Sequence, residues 1–367
     1  LEILSFNLER KENSMEDFFK AVESLVNEIK VSEEKRKKLS EIIRKSKISS
    51  SEFLEDSLIK TFGKIEGNFS VAGIDSGLLR KSLHGMDLIL IKAVGVIFYF
   101  ENNKLKNVEY YSPSTFFEPI IFQDPFSEIE LDIATNIFRQ TKEVKIAEKI
   151  SKEFKPDFVF MDGSILPHYI LSIDKDSLLY PYYKKVIEAY KNLFSSIKAS
   201  NSILAGIIED SRASRFCNLI LENLKLDREL SLILEKSKDT NLLDYVLKKG
   251  ERTSSFYYAS PLGFFSNQFS KEFNLREFAS FYIKLSEFDS PLRVDFLNDK
   301  KDAEDRISSI LSCLTVSEEY SMPSVLIEAD IRARLSEKNL EIFYRELAGK
   351  LGFLSSVRKE RRERRLL

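Results

Sequence analysis

Two hydrophobic periods divide the chain. Across residues 14–48 apolar side chains recur at helical spacing with charges between them. That pattern predicts two helices ahead of a polar connection near residues 46–53. From about residue 68 the period shortens to that of strands. "NFSVAGIDSG", "MDLILIKAVGVIFYFE" and "KLKNVEYYSP" are β-branched and aromatic, and Asn102-Asn103 between the last two is a turn signal. The expectation is three consecutive strands, the middle one long and paired in a hairpin with the third.

Residues 125–154 return to a helical period and open on Pro-Phe-Ser-Glu, a helix start. "KPDFVFMDG" then reads as a short strand of the kind buried on both faces of an α/β sheet. A helix over 180–198 and a buried strand over 202–210 follow. This order of elements predicts an α/β fold, a mixed sheet flanked by helices. Beyond it, 276–285 and 291–298 read as strands and 324–351 as one strong helical stretch. The expected organisation is an N-terminal helical region over 1–67 and a second domain with C-terminal additions over 68–367.

Two of the apolar runs end in aspartate followed by small residues: Asp75 in "GIDSG" and Asp162 in "FMDGS". Alone, each reads as an ordinary turn, because Asp and Gly both suit turn geometry. The order of elements changes that reading, since it places the two strands side by side with their ends together. Two close carboxylates raise each other's pKa unless a cation lies between them. Oxygen ligands of this kind suit Mg²⁺ or Mn²⁺, which can activate water and stabilise charge on a phosphate. The intervening helix offers a third acid. Glu143 and Glu148 lie on different faces of it; Glu143 is favoured because it is nearer the helix start, and Glu153 is the third-ranked candidate. Asp330 or Glu328, at the opening of the late helix, is a candidate fourth, although Asp330 also suits a helix cap.

Composition narrows the class. The chain has 367 residues, 43% hydrophobic and 31% charged, with a formal net charge of -2. There is no global basic signal for nucleic acid, which leaves only a local patch. Cys217 and Cys313 sit in unrelated contexts, so a disulfide framework or cysteine zinc site is not expected. His84 and His168 are too few for a histidine-rich metal site. No signal peptide and no apolar run of membrane-spanning length is visible, which points to the cytoplasm without a membrane. The aromatic stretches "YYSPSTFF", "SSFYYASPLGFF" and "YPYY" suit either base stacking or an interface. The terminal "RKERRERRLL" suits phosphate contact or a frayed helix end.

The segments "GIDSG", "FMDGS", "SILAGIIEDSRASR", "FYIKL…PLRVDF" and "YSMPSVLIEADIRARL" resemble, in this order, the NurA nuclease family. The resemblance extends from about residue 68 onward. It implies a ribonuclease-H-like core with added helices and a homodimer. It also implies a Mn²⁺-dependent nuclease acting on single-stranded DNA and on 5′ ends, an endonuclease and 5′–3′ exonuclease. The implied partner is the hexameric helicase HerA, in resection of DNA ends during repair. Position by position, the resemblance makes Asp75 and Asp162 metal ligands, puts the helix glutamate at Glu143, and nominates Tyr320 and Asp330.

One departure is visible. Where the family tends to carry a lysine before "DS", this chain has Glu209, followed by Asp210 and Ser211. A lysine there would hold a phosphate, whereas a glutamate repels it unless a metal intervenes. Arg212 and Arg215 are the candidate substitutes. Two other readings remain at this point. "GIDSG" is also similar to the first phosphate loop of actin-like ATPases, though its threonine-rich continuation is missing. Glu209 motivates a non-catalytic partner of the helicase, against which stands the retention of both aspartates.

Overall fold

The computed structural model describes residues 15–48, 50–112, 116–167, 173–258, 271–352 and 354–359. His168, residues 113–115 and 259–265 of the aromatic stretches, and residues 360–367 of the Arg-rich end lie outside the described residues.

The first element is one helix of 31 residues, α1 (Met15–Lys45), where two were expected. "VSEEKRKKLS" at its middle holds no Gly or Pro, so nothing interrupts the backbone ladder. After β1 (Ile59–Thr61), three strands form an antiparallel meander: β2 (Phe69–Leu83), β3 (Met86–Glu101) and β4 (Lys104–Tyr111). A strand not anticipated, β5 (Glu118–Gln123), pairs with the first part of β3. Next come α2 (Glu128–Glu153), β6 (Phe158–Asp162), α3 (Tyr180–Ser200) and β7 (Ile203–Ile208). β6 runs parallel to β2, and β7 parallel to β6.

Three short helices follow, α4 (Arg215–Asn223), α5 (Arg228–Lys236) and α6 (Asp239–Val246). With Leu39 and Ile43 of α1 they build a separate apolar cluster. The remaining strands are β8 (Glu251–Thr253), β9 (Phe256–Tyr257), β10 (Phe278–Lys284) and β11 (Leu292–Leu297). The last helices are α7 (Ala303–Leu314), α8 (Ser324–Ala333) and α9 (Glu337–Leu351). The expected single helix over 324–351 is therefore two. The chain breaks at residues 334–336, where the N–H and hydroxyl of Ser336 donate to Asn339 and start a new helix.

Among the described residues one sheet runs β1-β8-β10-β11-β7-β6-β2-β3-β4. Its stretch β4-β3-β2-β6-β7, three antiparallel strands and then two parallel ones, is the ribonuclease-H-like core. α2 and α3 cover one face, packing Val144, Ile146 and Leu193 on Ala72, Ile74, Val159 and Met161. α7 and α8 cover the other, packing Ile307, Val325 and Ala329 on Val71, Phe158 and Phe160. β6 is thus buried on both faces, as its unbroken apolar run requires. Among the described residues no helix is long and apolar enough to cross a membrane.

Asp75 does not end its strand. β2 continues through "DSG" to Leu83, paired with β3 at every position down to Leu83–Met86. The apolar run of β3 supplies a partner throughout, so Asp-Ser-Gly stays extended instead of turning. Gly77 serves a close approach: a Cβ there would stand 2.2 Å from the backbone oxygen of Ala333 in α8.

Candidate active site

The parallel β2–β6 ladder pairs Val71 with Phe158 and ends with Ile74 beside Met161. One step further, Asp75 and Asp162 are neighbours. β6 stops there while β2 runs on, so a notch opens along the edge of β2. Strand alternation puts Asp75 on the same face as Gly73 and Gly77. A Cβ at Gly73 would stand 2.6 Å from the backbone oxygen of Val325. With the contact at Gly77, this lays α8 directly across Asp75 and brings Asp330 to the notch.

From the opposite face α2 supplies Glu143. Its carboxylate accepts the Ser76 hydroxyl at 2.5 Å and the Arg139 guanidinium at 3.0 Å. The Ser76 N–H donates to Asp75 Oδ1 at 2.6 Å. One residue thereby holds two acids, Asp75 by its backbone and Glu143 by its side chain.

The electrostatics follow from burial. Asp75 is 5% exposed. Its carboxyl is pushed up to about 8, first by burial and next by Asp162; the Ser76 N–H opposes, and Glu143 and Asp330 add. Asp162 rises to about 6 through burial, then Glu143 and Glu209, with Arg139 opposing and Asp330 adding. Glu143 is raised by burial against the pull of Arg139 and Ser76. Glu143 and Asp330 thus act on both aspartates and Glu209 on Asp162, while Arg139 opposes at Asp162 and Arg334 pairs with Asp330. Beside them the buried Tyr190 hydroxyl has no hydrogen-bond partner among the described residues, and burial followed by Glu143 raises its pKa. An all-oxygen set with excess negative charge fits a hard divalent cation. Among the described residues no three such groups are already closed on one metal-sized point. Glu143 is instead turned to Ser76 and Arg139.

The other sequence candidates divide. Tyr320 donates to Glu209 at 2.5 Å, and its phenol is raised by burial, then Glu209, with Asp162 and Asp330 adding. Both therefore stand at the rim. Asp330 lies well inside α8, paired with Arg334 at 2.9 Å, and does not open the helix. Glu148 pairs with Lys152 and lines a cleft with Asn192 and Ser195 of α3, apart from the notch. Glu153 is exposed at the end of α2. Glu328 is taken up by Arg332 and Tyr110. Arg212 is exposed in the connection after β7. Arg215 pairs with Glu52 at 2.7 Å and belongs to the packing around α4. His84 sits in the β2–β3 turn. Sequence reasoning missed Arg139 and Ser76; the i,i+4 spacing of Arg139 and Glu143 was the available signal.

The profile of the NurA domain matches residues 69–335. The chain belongs to the NurA family. Among solved structures it is similar to the NurA nuclease from Sulfolobus solfataricus, 14% identical, covering 93% of this chain and 99% of that one, with a TM-score of 0.60. That likeness shows the fold. It is also similar to a NurA solved with manganese, 10% identical over 91% of this chain and 98% of that one, at a TM-score of 0.49. Among curated proteins none matches the chain. Membership in the NurA family displaces the actin-like reading.

Proposed function

We propose that this NurA-family chain is a metal-dependent DNA nuclease that hydrolyses phosphodiester bonds. The observation that carries the reading is the placement of Asp75 beside Asp162, one step past the end of the β2–β6 ladder, with both carboxyls raised by burial and by neighbouring carboxylates. In this reading Asp75, Asp162 and Glu143 hold Mn²⁺ or Mg²⁺, and Asp330 adds a fourth carboxylate from α8. A bound divalent ion supplies a Lewis acid for the phosphate and lowers the pKa of water.

The chain's own residues do the rest. The Ser76 N–H aims Asp75, and its hydroxyl with Arg139 keeps Glu143 beside the notch. Releasing Glu143 from these partners frees its oxygens for the cation. The open side of β2 beyond Asp162 leaves room for a strand to enter. Tyr320 and Glu209 border that entrance, and the exposed Arg212, three residues past Glu209, is the candidate phosphate contact. The close approach of α8 to Gly73 and Gly77 excludes water from the inner side of Asp75.

Family resemblance carries the finer points: single strands and 5′ ends as substrates, endonuclease and 5′–3′ exonuclease action, a HerA-type helicase partner, and a role in end resection and repair. Self-association has support in α1. Its outer half exposes Met15, Phe18, Val22, Leu25 and Ile29 at heptad spacing. The free Cys217 and Cys313 fit a reducing cytoplasm. The test is cleavage of 5′- and 3′-labelled single-stranded DNA with Mn²⁺, with Mg²⁺ and with EDTA. Cleavage with metal alone is expected; no cleavage under any metal would sink the proposal and favour a non-catalytic partner role.

A further inference from the structure

Behind the notch lies a buried charged network that the proposed chemistry does not use. Asp295 of β11 is 1% exposed. Its Oδ1 accepts the Ser280 hydroxyl at 2.7 Å and Arg293 Nε at 2.8 Å. Its Oδ2 accepts the Ser164 hydroxyl at 2.8 Å. Tyr258 is hydrogen-bonded to Ser164 and Arg293 as well. A buried ion pair of this kind is poorly explained by stability. Apolar residues of similar volume in its place are often neutral or stabilising, because taking two charges out of water is expensive.

The register shows what the network touches. Asp295 is the cross-strand partner of Gly206 in β7. A Cβ at Gly206 would stand 2.2 Å from the Gly163 oxygen and 2.8 Å from the Ile165 nitrogen, both backbone. The turn that follows Asp162 therefore rests in the space that Gly206 leaves open. There it meets Asp295 through Ser164. On its near side the same turn is held by the Gly163 N–H, which donates to the Ile207 oxygen at 2.8 Å. Gly163 has φ 91°, a left-handed conformation suited to glycine. The chain thus reverses just past Asp162 and is pinned once by the backbone and once by Ser164.

We infer that Asp295, acting through Ser164, is a positioning residue that sets the turn carrying Asp162 and so the separation of Asp162 from Asp75. Its consequence for metal binding rests on the proposed function; its consequence for the turn does not. Residues that orient metal ligands by hydrogen bonding typically change affinity by about 10–100-fold when removed.

The test uses the full chain with Ser164→Ala and Asp295→Asn. Ser280→Ala is the control, since it removes a bond to the same carboxylate without touching the turn. Amide hydrogen exchange across residues 163–166 is measured in EDTA, Mn²⁺ affinity by EPR titration, and Tm alongside. Ser164→Ala leaves the Asp295–Arg293–Ser280 contacts in place, so it is expected to keep its Tm within a few degrees. Exchange at 163–166 should quicken about ten-fold and the Mn²⁺ Kd rise about ten-fold. Ser280→Ala should leave both readouts as in the wild type. Unchanged exchange in Ser164→Ala would overturn the inference, and so would a Kd that moves only as far as Tm does. If the wild type bound no Mn²⁺ while exchange still quickened, the metal reading would fall and the positioning of the turn would stand.

Discussion

Asp75 and Asp162 lie side by side, one step past Ile74 and Met161, the last paired positions of the parallel β2–β6 ladder. The backbone fixes this relationship, because register in a parallel ladder determines which side chains are neighbours. Folding gains nothing from it. Asp75 is buried and Asp162 half-buried, the charge of Asp162 raises Asp75, and a folded chain without a cation carries them at a cost.

That cost has a pH signature. Both carboxyls are raised from 3.8, to about 8 and about 6. Each favours the folded state most when protonated, below the unfolded value, and that contribution is lost as pH climbs through the folded value. In EDTA, Asp75→Asn is therefore expected to exceed the wild type in Tm at pH 8. The difference should shrink as pH falls and vanish only below the unfolded value of 3.8, and saturating Mn²⁺ should raise the wild type more than the variant. Equal Tm curves for the two proteins across pH 5–8 would contradict the burial and repulsion assigned to Asp75.

Much of this arrangement was legible before the structure. β6 announces itself by an apolar run that no single buried face could absorb. α2 begins where its Ser127–Glu130 capping box lies. Together they place Asp162 beside Asp75. The continuation of β2 was not legible, because "DSG" is locally a turn sequence. Pairing along the whole of β3 and the approach of α8 at Gly77 override it, and both are tertiary. For the same reason the break after Ala333 was hidden within a continuous helical period. In "LRVDFL", alternation places Arg293 and Asp295 on one face, yet nothing local reveals that this face is buried or that Ser164 lies against it.

Gly206→Ala should disturb the site from beneath. The new Cβ meets two backbone atoms of the turn after Asp162, and neither can rotate away. Overpacking of this kind costs about 1–3 kcal/mol, read by urea unfolding. Nuclease activity in the folded fraction should fall at least about ten-fold if Asp162 must keep its place. Activity equal to the wild type would mean that the turn tolerates displacement.

Glu209→Lys would reverse the charge at the rim of the site. It removes a negative charge acting on Asp162 and the acceptor of the Tyr320 hydroxyl. The Mn²⁺ concentration for half-maximal cleavage should rise several-fold, while KM for DNA falls. Kinetics at varied Mn²⁺ and varied DNA separate the two effects. Movement of both constants in the same direction would contradict the role of Glu209 as a charge on the metal side of the site.

The proposed self-association through the apolar stripe of α1 can be tested by charge. Phe18 is 61% exposed and Leu25 58%, so Phe18→Glu with Leu25→Glu should leave Tm of the monomer unchanged. Sedimentation velocity should show the weight-average mass falling toward that of a single chain. An unchanged mass would place self-association elsewhere.

The central claim is that Asp75 and Asp162 together hold the catalytic cation. Mn²⁺ titration by EPR, on wild type, Asp75→Asn and Asp162→Asn, tests it most directly, with cleavage of labelled single-stranded DNA followed in the same samples and folding checked by circular dichroism. The account predicts that the wild type binds Mn²⁺ and cleaves, and that each folded variant loses at least about 100-fold in affinity along with its cleavage. Wild-type Mn²⁺ binding and cleavage persisting in either folded variant would contradict it.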